Sequence, residues 1–152
     1  MKTHKDLDVW KDGIELVKLI YNLTSSFPKE EMYGLTSQIR RSGVSIPSNI
    51  AEGAARKNKK EFVQFLYIAL GSIAELETQL IISKELGYIH DLKIFDDLER
   101  LKAKLLGLIR YVKVRRETWD VKRKKWEVRR KKWDVKNFSL TYHVSPLTSH
   151  VW

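Results

Sequence analysis

A chain of 152 residues can bury one substantial core and is too short for two ordinary domains. It has no cysteine, so a disulfide framework, a thiolate metal site and a cysteine nucleophile are excluded. The net charge of +10 is unevenly placed: residues 115–136 hold 11 Lys and Arg against four Asp and Glu, and the rest is only mildly basic. Such a segment attracts a polyanion or merely keeps a tail solvated. The opening MKTHKDLDVW lacks the apolar stretch of a signal peptide, and no run reaches 18 uninterrupted apolar residues. A soluble, cytoplasmic protein without membrane association is therefore expected.

The first helix is expected from Asp8 to Thr24, with Trp10, Ile14, Val17 and Tyr21 as its apolar stripe, widened by Leu16 and Ile20. Asp6 or Asp8 can cap its start, and Ser25, Ser26 and Pro28 end it. The second spans about Glu30 to Ala55, with Leu35, Ile39, Ile46 and Ile50 on one face. Pro47 sits in its middle among Ser42, Gly43, Ser45, Ser48 and Asn49. An interior proline costs about 3 kcal/mol, which close packing or the kink itself must offset.

The third helix opens at Asn58, with Glu61 placed to complete a capping box. Phe62, Phe65, Leu66, Ala69, Ile73, Leu76 and Leu80 form its inner face, and Gly87 suits a left-handed stop. The fourth starts near Asp91 and carries Phe95, Leu98, Leu101, Leu105, Ile109 and Val112. No segment alternates with period two, and the connections are short. The expectation is an all-α, antiparallel up-down-up-down four-helix bundle over residues 1–116, followed by a basic repetitive tail.

Val63, Tyr67, Ile68, Leu70, Ile81 and Ile82 leave the third helix apolar off its inner stripe as well. Two apolar faces call for two partners, the core and another subunit. Ile68, Leu70, Gly71 and Ser72 are the expected oligomer interface, the small pair allowing close approach. A wide core face on a monomer is the alternative.

The segments LDVW (7–10), FPKEEMYGL (27–35), QIRRSGVSIPSNIAEG (38–53), EFVQFLYIALGSIAELETQL (61–80) and ELGYI (85–89) carry a family resemblance. Over about residues 6–114 the chain resembles the four-helix bundle proteins encoded by intervening sequences of bacterial large-subunit ribosomal RNA genes. These are related to the accessory variability protein of diversity-generating retroelements. The resemblance implies a barrel-like homopentamer. In the retroelement branch it further implies binding to nucleic acid and to a reverse transcriptase.

Catalysis finds little support. Glu52, Glu61, Glu75 and Glu77 are available carboxylates, but no histidine follows a glutamate by three, as a bundle di-metal site requires. No phosphate-cradling glycine loop stands out, so no enzyme activity, metal, cofactor or small-molecule substrate is expected. Ser42, Ser45, Ser48, Asn49 and Glu52 could line a pocket. The structural alternative, which we favour, has them satisfy carbonyls freed by Pro47 and pair across a subunit contact. Arg40 and Arg41 on the second helix, with Arg56, Lys57, Lys59 and Lys60 at its end, are the candidate nucleic-acid contacts. In a ring they would form a belt; alternatively the turn is simply solvated.

Residues 119–135 repeat with period seven, WDVKRKK, WEVRRKK, WDV. Trp and Val lie two apart and make no coiled-coil seam, whereas Trp and Lys together could stack on bases and neutralise phosphates. A second repeat, LTYHVSP at 140–146 and LTSHVW from 147, keeps the same phase. Thr118 to Lys122 can be written ACG TGG GAC GTC AAG, whose reverse complement encodes Leu-Thr-Ser-His and begins Val in a shifted frame, as at 147–151. This points to inverted 21-nucleotide repeats in the gene, which its nucleotide sequence would verify. On that account residues 117–152 are a disordered by-product.

Two functions follow. One is an RNA- or DNA-associated oligomeric scaffold. The other is a ring that binds another protein, with nucleic acid irrelevant.

Overall fold

A computed structural model describes residues 3–141, and the side chains of residues 3–114 and 120–131. Four α-helices follow one another: α1 (Asp8–Thr24), α2 (Leu35–Ala55), α3 (Lys59–Glu85) and α4 (Lys93–Thr141). Two 3-10 turns, His4–Asp6 and Lys29–Tyr33, precede α1 and α2. No strand occurs among the described residues, as the sequence pattern leads one to expect. The chain divides into two units, Met1–Lys113 and Val114–Trp152.

In the first unit α1 begins without a side-chain cap, the Leu7 carbonyl accepting from the Trp10 and Lys11 N–H groups at 3.0 and 3.1 Å. Asp6 serves the preceding turn instead, accepting from the Thr3 N–H at 2.9 Å. At the other end the Ser25 and Ser26 hydroxyls donate to the Asn22 and Leu23 carbonyls, closing groups that a helix terminus leaves open. The buried stripe of α1 is Val9, Gly13, Leu16, Ile20 and Thr24. It is rotated from the expected one: Trp10, Ile14 and Val17 are half-buried and Tyr21 is exposed. The reason is steric. Gly13 lies against Pro47, and Ile20 reaches over Gly43, so the face that lets α1 approach α2 turns inward.

The second expected helix is divided. Lys29–Tyr33 is a 3-10 turn, Gly34 breaks it, and the Glu31 carboxylate accepts from the Leu35 N–H at 3.0 Å to start α2. Pro47 is buried inside α2, and a methyl added at Gly13 would lie 3.4 Å from its Cβ. A Cβ at Gly43 would come within 2.6 Å of Ile20 Cδ1, and one at Gly53 within 2.6 Å of Phe65 Cβ. The proline thus gains close packing on α1, while the glycines admit both neighbours.

Polar side chains then register α2 on α3. Ser42 donates to Gln79 Oε1 at 2.7 Å, and the Ser45 and Ser72 hydroxyls share a bond of 2.9 Å. Asn49 donates to the Ser45 carbonyl and hydroxyl at 2.8 and 2.9 Å, and Ser48 to the Val44 carbonyl. Of the serine block, Ser42 and Ser45 pair with α3 of their own chain, while Ser48 and Asn49 bond within α2.

Asn58 caps α3 by accepting from the Lys60 N–H at 2.9 Å; the reciprocal bond expected from Glu61 is absent among the described residues. Gly87, at φ +77°, turns the chain out of α3. Lys93 N donates to Asp91 Oδ1 to start α4. Residue pairs run in opposite senses along successive helices: Ile20 with Gly43 and Thr24 with Arg40, then Ser42 with Gln79 and Ser45 with Ser72, then Tyr67 with Lys113 and Glu77 with Lys102. Lys104 closes on Asp12 of α1. Hydrogen bonds from Lys102 to Glu99 and then Glu77 raise its pKa above the ordinary lysine value. Ile20, Ile39, Ile46, Ile50, Leu66, Ile73, Leu76, Leu80, Leu98 and Leu105 are fully buried in one core to which all four helices contribute. Val63, expected off the inner stripe of α3, is also buried there.

In the second unit the chain is helical through Thr141, within the stretch expected to be disordered from residue 117. No Gly or Pro occurs between Gly107 and Pro146, and Lys, Arg and Glu are strong helix formers. Arg123 also lies 3.8 Å from both Asp120 and Glu127, one turn to either side. Most of the second repeat, residues 142–152, lies outside the described residues.

Gly53→Ala should destabilise the protein by about 1–3 kcal/mol, since Phe65 and Phe62 must give way. Gly107→Ala, where nothing lies within 4 Å, should instead stabilise it by about 0.5–1 kcal/mol. Denaturant unfolding of the two variants checks the sign of each.

Candidate nucleic-acid interface

The link between α2 and α3 gathers four of the six candidate cations. Arg56 leaves the helix with extended backbone, its N–H returning to the Gly53 carbonyl at 3.1 Å. Its guanidinium pairs with Glu52 at 2.5 Å and lies 5.0 Å from the centre of the Phe65 ring. Arg56 is thus a strut as much as a ligand. Lys57, Lys59 and Lys60 are exposed and have no ion pair among the described residues.

Lys59 and Lys60 begin α3, where the helix dipole already presents positive charge. Cations there are unfavourable by some tenths of a kcal/mol each, and only Glu61 in the first turn opposes them. Local rules are broken most often at functional or strained sites, which makes this turn the candidate surface. Phosphate oxygens fit this end of the helix by charge and by its open N–H groups.

The remaining pair is elsewhere. Arg40 donates through Nε to Thr24 Oγ1 at 2.9 Å and lies 4.7 Å above the Tyr21 ring, so it joins α1 to α2. Arg41 is exposed but lies 15 residues before Arg56, about 22 Å along a helix. The six cations therefore form two separate groups in the chain, and the turn is the denser one.

The expected interface residues also divide. Ile68 is 46% exposed and Gly71 is open, with nothing within 4 Å of an added Cβ. They share the outer surface of α3 with the exposed Tyr67, Ile81 and Ile82. Leu70 is half-buried against the core, and Ser72 is buried on Ser45, which removes it from any outer face. A second apolar surface escaped sequence reasoning: a groove of about 270 Å³ between α1 and α2, lined by Trp10, Ile14, Val17, Val44, Pro47 and Ala51. Its signal was the Trp10–Ile14–Val17 stripe, which is the apolar edge of α1 rather than its inner face.

The charged groove of Asp12, Glu15, Asp97, Arg100 and Lys104 is occupied by its own ion pairs, Lys104 with Asp12 and Arg100 with Asp97. No group of His, Asp and Glu among the described residues is placed to hold a metal ion.

These features define a small all-helical protein with a basic turn and two exposed apolar surfaces. The chain belongs to the 23S rRNA-intervening sequence protein family, whose model matches residues 5–110. Among solved structures it is similar to a protein of unknown function from the S23 ribosomal protein family of Bacteroides thetaiotaomicron VPI-5482, at 28% identity and a TM-score of 0.62. That likeness covers 67% of this chain and 95% of the other. No curated protein matches significantly.

Arg40→Ala should lower stability by about 1 kcal/mol through the lost Thr24 and Tyr21 contacts. Lys57→Gln should leave it unchanged, and thermal unfolding of the two variants distinguishes strut from free cation.

Proposed function

We propose that the protein is a non-catalytic, cytoplasmic scaffold whose basic turn binds structured RNA or DNA, without cofactor or small-molecule substrate. The observation that carries this reading is the trio of exposed lysines, Lys57, Lys59 and Lys60, set around the N-terminus of α3 against the helix dipole. The family name, with its reference to ribosomal RNA, makes RNA the first target to try.

The opposite-running pairs between successive helices support an up-down-up-down four-helix bundle as the body. The oligomer is a homopentamer in this reading. A closed ring with odd symmetry joins unlike surfaces head to tail. The outer face of α3 and the groove between α1 and α2 are two such surfaces, on different helices. A second reading, a ring that holds another protein such as a reverse transcriptase, draws on a further groove, lined by Ile81, Leu92 and Phe95 with Lys84 and Asp96.

Lys57, Lys59 and Lys60 should be changed together to Gln and binding to a labelled hairpin RNA followed across salt concentrations. Affinity at about 0.1 M salt should fall tenfold or more, and the salt slope should decrease by about two to three. An unchanged affinity and slope would remove the turn from the interface and favour the protein-binding ring.

Light scattering tests assembly separately. The full chain should run as an oligomer at micromolar concentration, and Ile68→Glu should dissociate it while leaving its helicity intact. A monomeric parent protein would end the ring model.

A further inference from the structure

The second unit begins at Val114, beyond the family match, which ends at residue 110. Within it, residues 119–135 place Trp119, Trp126 and Trp133 seven residues apart, on one stripe that drifts by only about 20° per repeat. Trp126 is 59% exposed, and the Arg130 guanidinium lies 5.5 Å from its ring centre. Lys122, Lys124, Lys125, Arg129 and Lys131 are exposed and have no ion pair among the described residues. A large flat ring such as that of Trp126, held at the surface of a highly cationic helix, has no core to serve, and its exposure to water is unfavourable.

Three kinds of partner take tryptophan and lysine together, and the arrangement separates them. A partner helix in a coiled coil needs apolar residues three and four apart, whereas Trp and Val here alternate by two and five. A bilayer surface needs one continuous apolar face. Trp and Val instead stand about 200° apart with cations on both sides, so no such face exists. Single-stranded nucleic acid needs separate aromatic platforms interleaved with cations, and this is what the helix presents.

We propose that residues 117–136 form a single-stranded nucleic-acid-binding arm, in which each repeat stacks one tryptophan on a base and neutralises the adjoining phosphates. The spacing sets a register. Seven residues rise about 10.5 Å along a helix, and three stacked nucleotides at about 3.4 Å each span nearly the same length. One repeat therefore addresses three nucleotides, and the three tryptophans address about nine. The acidic position of the repeat does not cancel the charge, because residues 115–136 retain 11 Lys and Arg against four Asp and Glu. The arm does not rest on the lysine turn; it would act if the turn bound nothing.

The test uses the full chain carrying Lys57, Lys59 and Lys60→Gln, so that the arm is read apart from the turn. Labelled oligouridylates and oligothymidylates of 3, 6, 9 and 12 nucleotides, and a 12-base-pair duplex, are titrated by anisotropy while tryptophan emission is recorded. Affinity should climb with length and level off near nine nucleotides, with quenching of emission, and the duplex should bind more weakly. Changing Trp119, Trp126 and Trp133 together to Ala should cost at least tenfold in single-strand affinity with the salt slope unchanged. Circular dichroism confirms that the helix persists, and Trp126→Phe, which keeps an aromatic face, should lose much less than Trp126→Ala. Equal binding of strand and duplex without quenching would mean phosphate attraction alone and overturn the stacking arm. So would an alanine variant that binds like its parent, or a preference for vesicles of anionic lipid over any oligonucleotide. Absence of single-strand binding would leave the repeat as a by-product of the gene, with the lysine turn still judged by its own hairpin assay.

Discussion

The close approach of α2 to both its neighbours is the constraint on which the rest of the first unit depends. Gly43 takes Ile20 of α1 on one side and Gly53 takes Phe65 of α3 on the other, each at a distance a Cβ would close to 2.6 Å. With the backbones that near, an interior proline becomes tolerable, because its ring fills space against Gly13 instead of striking a side chain. The intrinsic penalty of proline and glycine in a helix is offset by the dispersion contacts that small residues permit.

Close backbones also explain why the seam between α2 and α3 is made of hydroxyls. Serine is small enough to fit and must find a partner once buried. Ser42 finds Gln79 and Ser45 finds Ser72, so a shift by one turn would break both bonds between the helices. Apolar contacts alone would be less selective about register. The seam costs little in a helix that is already anchored by Ile39, Ile46 and Ile50, and it leaves the outer face of α3 free to carry apolar side chains for another purpose.

Helix existence was legible from apolar spacing and punctuation: Asp8 to Thr24 was found whole, and Asn58 and Gly87 mark the two ends of α3. Face assignment was less so. Trp10, Ile14 and Val17 are larger than Gly13 and attract attention as core, yet contact distance favours the glycine. Ser72 was read as an outer residue because its small size beside Gly71 would let a second helix approach; its partner Ser45 is 27 positions away and invisible to local pattern. Arg40 was read from its charge alone, and its contacts with Tyr21 and Thr24 across the turn are invisible to local pattern. The lysine trio was legible as a local run of basic residues between two apolar-patterned helices. The helix over 119–135 was not legible, since the composition of the repeat argues against a core while saying nothing against a solvated helix.

A helix built on a seven-residue unit has an unusual tolerance to change in its own gene. Gain or loss of one 21-nucleotide unit preserves the reading frame, because seven codons enter or leave together. The helix grows or shrinks by about 10.5 Å and turns by only about 20°, so the remaining tryptophans keep their common stripe. Replication slippage, which scrambles most coding sequence, would here act as a length adjustment. Such a segment can vary between generations in reach and in charge while the body that precedes it stays untouched.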